Sequence, residues 1–291
     1  MTYTFDPGER PAGELRRIAA ETLDEAIALA RSVGPSDAEG ADRAVHEVRK
    51  ACKRLRALVR LFRPGFEATY RRENAAARDA AAGLAHFRDA RVLCDTCRKL
   101  EDAQQGVTRQ AVRATRKLLQ RSAGDAPAAE IAAALSESAA RLAEIRERVG
   151  KWEVSRPKRA VAEGARRVYG DGRRALVRCR TEGPAEPWHD WRKQAKYHGY
   201  HARLFMAMHP AAPAYYQPFD TLGQTLGDEH DLSVLLAILE QLDLDQPTRA
   251  ATARAASLTR AALREAASDL GRETYRCPPR AVGALVLGFF D

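Results

Sequence analysis

The residues best placed to do chemistry lie in two short runs with one order. Val45-His46-Glu47-Val48-Arg49-Lys50-Ala51-Cys52-Lys53 is echoed by Trp188-His189-Asp190-Trp191-Arg192-Lys193-Gln194-Ala195-Lys196, 143 positions on from His46 to His189. On a helix, steps of three and four keep one face. His46, Arg49, Lys53, Arg56 and Arg60 advance by such steps, a basic stripe of four turns, roughly 20 Å long. His189, Arg192, Lys196 and Arg203 repeat it, with Gly199 at the fourth position, and Lys50 and Lys193 widen each stripe. No acid occurs between positions 48 and 63 or between 191 and 208. Like charges at i,i+4 cost a few tenths of a kcal/mol per pair, and a solvated helix would interleave carboxylates. Two stripes without them predict a bound anion. Arginine offers phosphate oxygens a planar fork of donors and lysine a mobile charge. A histidine among phosphates donates a hydrogen bond or gains a proton.

Other chemistries fit less well. Histidine beside cations suits a phosphoryl acceptor, yet the sequence has no glycine-rich phosphate loop and no acidic metal cluster near these histidines. No catalytic residue is therefore expected. His198 and His201 lie three apart and Cys94-x-x-Cys97 is a lone pair; neither has the further ligands of a metal centre, so no metal and no cofactor is expected. The five cysteines are an odd number, form no disulfide framework and read as buried thiols.

The elements that carry these residues read as helices. Ala, Leu, Arg and Glu dominate, and long stretches lack Pro and Gly. Helices are predicted near 11–32, 42–63, 66–84, 88–103, 107–122, 127–149, 157–180, 187–208, 212–227, 230–243 and 247–272. Breakers fall between them at Gly34-Pro35, Pro64-Gly65, Gly124-Asp125-Ala126-Pro127, Gly183-Pro184 and Pro210. Beside the basic stripe, Val45, Val48, Cys52, Leu55, Val59 and Phe62 form an apolar one. Trp188 and Trp191 are expected to pack the second copy inward, and the apolar run Ala281 to Phe290 to pack the terminus into the core.

The echo extends beyond the stripes. Arg60-Leu61-Phe62 returns as Arg203-Leu204-Phe205, and Leu84-Ala85-His86-Phe87-Arg88-Asp89 aligns with Leu226-Gly227-Asp228-Glu229-His230-Asp231 at almost the same offset. Asp89 and Asp231 read as N-caps of helices starting there, or as acceptors that orient a nearby arginine. The order and offset predict an internal duplication: an all-α protein of two helical halves, 8–150 and 151–291, meeting near 150–156 about a pseudo-twofold axis. Further cations recur at Lys158, Arg159, Arg166, Arg167, Arg173 and Arg174, with Tyr169 among them. Arg109, Arg113, Arg116, Lys117 and Arg121 form another basic run that reads equally well as plain surface.

Composition bounds the rest. The 291 residues carry a net charge of +9, with 45% hydrophobic and 30% charged residues, which argues against disorder and for an anionic partner. No apolar stretch approaches the ~18 residues of a membrane span. Residues 1–10 have no apolar leader core, so a cytoplasmic address is expected. Nucleic acid is the alternative polyanion, with salt-dependent affinity. Against it, neither stripe interleaves exposed aromatics for base stacking, Tyr197 and Tyr200 excepted. A scaffold docking an acidic protein is a third reading.

The paired blocks resemble the CHAD family, the conserved histidine α-helical domain. The residues carrying the resemblance are His46-Glu47-Val48-Arg49-Lys50 and His189-Asp190-Trp191-Arg192-Lys193, followed by Arg88-Asp89 and His230-Asp231. It covers roughly 8–291 as a single domain. The resemblance implies two helical bundles related by a pseudo-twofold axis, with basic residues lining a central groove or pore. It also implies non-enzymatic binding of inorganic polyphosphate, and association with polyphosphate granules. The triphosphatase domain often fused to such domains is absent from this sequence. The expected ligand residues are His46, Arg49, Lys50, Lys53, Arg56 and Arg60, then His189, Arg192, Lys193, Lys196 and Arg203. Arg88, Arg166, Arg167, Arg173, Arg174 and His230 are additions. Gly199, and Arg88 opposite His230, depart from exact symmetry between the halves.

Overall fold

The computed structural model describes residues 3–122, 127–181 and 186–290, with the backbone alone at 38, 88–90, 122 and 180–181. The expected breakers at 124–126 and 183–184 lie outside the described residues. Those described form an all-α fold of eleven helices: α1 (Pro11–Ser32), α2 (Ala38–Phe62), α3 (Glu67–Ala82), α4 (Ala85–Asp102), α5 (Gly106–Ser122), α6 (Ala128–Val149), α7 (Pro157–Thr181), α8 (Glu186–Leu204), α9 (Ala212–Ile238), α10 (Gln246–Thr274) and α11 (Pro279–Gly288). None is long and apolar enough to cross a membrane.

Local signals place α2. The Asp37 carboxylate accepts from the Gly40 amide at 2.9 Å and caps the first turn. Val45, Val48, Cys52, Leu55, Val59 and Phe62 then bury one face, as their spacing predicts. Trp188 and Trp191 do the same for α8. The C-terminal ends of both helices meet around Phe5, whose ring lies 6.3 Å from Phe62 and 5.6 Å from Phe205. The repeated Arg-Leu-Phe thus joins α2 to α8 through the N-terminal segment. Val282, Val286 and Phe289 of the last apolar run are buried, while Leu285 and Leu287 are exposed.

One expected break is missing. The stretches 212–227 and 230–243 are joined in the single helix α9, whereas the corresponding place in the first half is broken at Gly83-Leu84, between α3 and α4. Gly227 reads as a turn signal, but it stays helical within a buried stripe that includes Leu222, Leu226, Glu229, Leu232 and Leu235. Asp231 is therefore interior to α9 and is not an N-cap, and its charge acts on Arg192. α4 starts at Ala85, so Asp89 is not at its start either, and its side chain lies outside the described residues.

The buried residues form two cores. The larger gathers α1, α2, α3, α6, α7, α8, the first part of α9 and α11. The smaller is built by Cys97 and Leu100 of α4, Val112 and Leu119 of α5, Leu232 and Leu235 of α9, and Ala255 and Ala256 of α10. Each core draws on residues from both sides of position 150. Packing partners recur along the chain: α1 lies against α2 and α6 as α7 lies against α8 and α11, and α4 packs on α5 as α9 packs on α10. Buried carboxylates tie neighbours together: Glu73 to Arg148 at 2.8 Å, Glu101 to Arg113 and Arg116 at 2.7 and 2.9 Å, and Glu229 to Arg264 at 2.8 Å. Two cations of the α5 run thus serve an internal ion pair. Cys52 and Cys97 are buried and Cys94 and Cys179 half-buried. Cys277 is exposed, contrary to expectation, because it falls in the turn between α10 and α11.

Candidate anion-binding cleft

Four helices close a ring: α2 packs on α8 and α4, and α9 packs on the same two. Inside the ring lies a cleft of about 470 Å³. α2 contributes His46, Arg49, Lys50 and Lys53, α8 contributes Arg192, Lys196 and Tyr200, and α9 contributes His230, Asp231 and Val234. Val92 and Leu93 of α4 complete the wall. Among the described residues that line it, five cations face one acid. Two pairs of matched positions, Arg49 with Arg192 and Lys53 with Lys196, meet in this one space.

Each side chain is placed by its helix neighbours. Arg49 donates from Nη1 to the Ala81 carbonyl at 3.1 Å, in the last turn of α3, an oxygen that also accepts from the Leu84 amide and stands at the negative end of the helix. Arg192 is half-buried, and its Nε is buried without a hydrogen-bond partner among the described residues. Burial lowers its pKa against the pull of Asp231 and Glu229. A guanidinium stays charged at physiological pH regardless, so the shift marks a poorly solvated cation. Lys196 is half-buried against α9, where its stem and amine pass over Gly223 and Gly227: a Cβ at these positions would stand in ordinary contact, 3.4 Å from its Cδ and 3.8 Å from its Nζ. Burial and then Arg192 lower its pKa.

His46 and His230 line the cleft, and His189, exposed and outside its wall, adjoins it. His230 stacks on His189, with ring centroids 4.9 Å apart. Burial, then Arg192 and His189, bring the His230 pKa down to about 4. The His189 pKa falls through burial, Lys193 and Arg192. Both rings are neutral near pH 7 and adjoin cations, ready to donate to an anion. His46 is exposed, 3.7 Å from Glu47.

Other expected residues stand elsewhere. Lys50 lines the cleft but binds Glu47 at 3.1 Å, and Lys193 binds Asp190 at 2.9 Å outside the wall. The acid after each stripe's histidine thus pairs with the lysine three residues on. Arg56 is turned to Asn74 of α3 at 3.2 Å. Arg60 lies over Tyr197 at 4.2 Å and Tyr70 at 5.5 Å, filling the α2–α8 contact. Gly199, at the position matched to Arg56, faces α9, where a Cβ would stand 3.6 Å from the Phe219 carbonyl oxygen, an ordinary contact. Arg203 is exposed beyond the cleft. Arg166, Arg167, Arg173 and Arg174 are exposed on α7: Arg166 pairs with Glu163 beside Gly283 of α11, and Arg174 pairs with Asp171. The side chain of Arg88 lies outside the described residues. The cleft's share of the first stripe therefore runs from His46 to Lys53, about 10 Å, because the second half of the stripe serves packing. The sequence reading missed Gly223 and Gly227; their four-residue spacing opposite a lysine helix was the available signal.

His198 and His201 are fully buried packing residues. His201 Nε2 lies 2.8 Å from the Ala57 carbonyl and His198 Nε2 2.5 Å from the Tyr215 hydroxyl. Burial takes the His201 pKa to about 3 and the His198 pKa well below its ordinary value.

Comparison with known proteins agrees on the fold. A crystal structure of the CHAD domain from the plant Ricinus communis superposes with a TM-score of 0.61, at 19% identity, covering 95% of each chain. PptA from Streptomyces chartreusis gives 0.59 at 18% identity, covering 92% of this chain and 98% of its own. No curated protein matches the chain. The CHAD domain profile matches residues 17–240, the span that supplies every residue of the cleft. The chain belongs to the CHAD domain family.

Proposed function

We propose that this domain binds inorganic polyphosphate in the cleft ringed by α2, α4, α8 and α9, without catalysis. The observation that carries the reading is the meeting of Arg49, Lys53, Arg192 and Lys196 in one space, two of them half-buried on α8 with lowered pKa values. Desolvated like charges oppose folding unless an opposite charge joins them, and a linear polyanion supplies many such charges. The same meeting of matched positions, with the recurrent packing order, supports an internal duplication whose halves, 8–150 and 151–291, face each other about a pseudo-twofold axis. The family resemblance adds the ligand, and with it a cytoplasmic location at polyphosphate granules.

A nucleic-acid backbone would satisfy the same charges, but base stacking finds little purchase. Tyr197 is covered by Arg60, and Tyr200 packs edge-on to Tyr3 with centroids 6.2 Å apart. Competition decides between the two. With long-chain polyphosphate bound near physiological salt, excess single-stranded RNA or duplex DNA is expected to leave it in place. Ready displacement by RNA would assign the cleft to nucleic acid instead.

A further inference from the structure

Lysines around the cleft differ in what holds them. Lys50 pairs with Glu47, Lys193 with Asp190, and Lys99 with Asp228 at 2.8 Å. Lys196 closes no ion pair among the described residues. Its stem lies instead on the bare backbone of α9 at Gly223 and Gly227, and its amine is half-buried where the cleft opens. Arg49 and Lys53 of α2, Arg192 of α8, and His230 and Asp231 of α9 line the same space. Asp220 and Asp228 of α9 also act on the amine, yet burial and Arg192 outweigh the three carboxylates. A packed, desolvated amine beside cations is the arrangement that activates a lysine as a nucleophile.

We propose that Lys196 is a nucleophilic lysine, a site of Nε-acylation by acyl phosphates whose phosphate docks on Arg49, Lys53 and Arg192. The neutral amine attacks the acyl carbon and a C–N bond forms. The C–O bond to phosphate breaks, and inorganic phosphate leaves with the electron pair. The extra proton on nitrogen passes to solvent or to the departing phosphate. The product amide is neutral, so the cleft loses one of its five cations and its grip on any polyanion weakens. This chemistry needs the cleft to hold one phosphate group rather than a chain, and it stands if polyphosphate does not bind.

The test incubates the full chain with acetyl phosphate and follows acetylation of Lys196, Lys193 and Lys50 by mass spectrometry. Burial and Arg192 favour the free amine of Lys196, and the docked phosphate holds the acyl group beside it, so Lys196 is expected to react faster than Lys193. Inorganic pyrophosphate should slow Lys196 alone. Arg192→Gln should slow Lys196 while Lys193 keeps its rate, which also reports that the protein is folded. With the neutral ester N-hydroxysuccinimidyl acetate, the preference for Lys196 should shrink. A Lys196 rate no greater than that of Lys193, or a preference unchanged by the neutral donor, overturns the proposal.

Discussion

At the scale of single residues, burial decides what each histidine and cation does. His198 and His201 are neutral because the interior disfavours their charged form. Their pKa values fall below the unfolded value near 6.5, so the unfolded chain takes up protons first as pH drops. Stability is then complete above about pH 6.5 and is lost toward the His201 value of about 3. The slope approaches about 1.4 kcal/mol per pH unit for each histidine. Urea midpoints measured from pH 7.5 to pH 4 should fall steadily below pH 6.5; a level profile to pH 5 would contradict neutral buried rings. The types and spacing of His46, Arg49, Lys53, Arg192 and Lys196 were legible in the sequence because a helix turns three-four steps into a face. The division of labour along that face was not. Whether Arg60 meets an anion or Tyr197 depends on the neighbouring helix, and an i,i+3 carboxylate at Glu47 or Asp190 neutralises a lysine that counts as free in a stripe.

Helices carry those residues to their places, and glycines set how closely the helices approach. A Cβ at Gly164 of α7 would stand 1.8 Å from the Leu61 carbonyl oxygen of α2. Gly164→Ala must push two backbones apart and is expected to lower stability by about 1–3 kcal/mol, despite the better helix propensity of alanine. Gly13 of α1 has nothing within 4 Å, so Gly13→Ala should instead stabilise by up to about 1 kcal/mol. Denaturant midpoints of the two variants check the sign, and an upward shift for Gly164→Ala as well as Gly13→Ala would show that the α2–α7 crossing is not tight. Helix positions followed from apolar periodicity and from breakers such as Pro64-Gly65. The fusion into α9 did not, because the helix is carried through Gly227 by the buried neighbours Leu226, Glu229 and Leu232, and a glycine inside a helix looks like a glycine at a turn.

Across the whole molecule, the charge of the cleft and the charge of the exterior make different demands. The +9 excess includes the exposed arginines of α7, two of which are paired locally, and the arginines of α5 that bind Glu101. Five cations converge in the cleft. If each neutralises one phosphate, with about 0.7 counterions released per contact as for single strands, the slope of log affinity against log salt is about −3.5. The measurement that tests the central claim most directly is a calorimetric titration of long-chain polyphosphate into three proteins across a range of salt. These are the wild type, the cleft variant Arg49→Ala/Arg192→Ala, and the exterior variant Arg167→Ala/Arg173→Ala. Loss of two charge-assisted contacts at roughly 1.5 kcal/mol each predicts about a hundredfold weaker binding for the cleft variant, a shallower salt slope, and unchanged helical circular dichroism. The exterior variant should bind like the wild type. Equal affinity in the cleft variant, or an equal loss in the exterior one, would contradict the assignment of polyphosphate to the cleft.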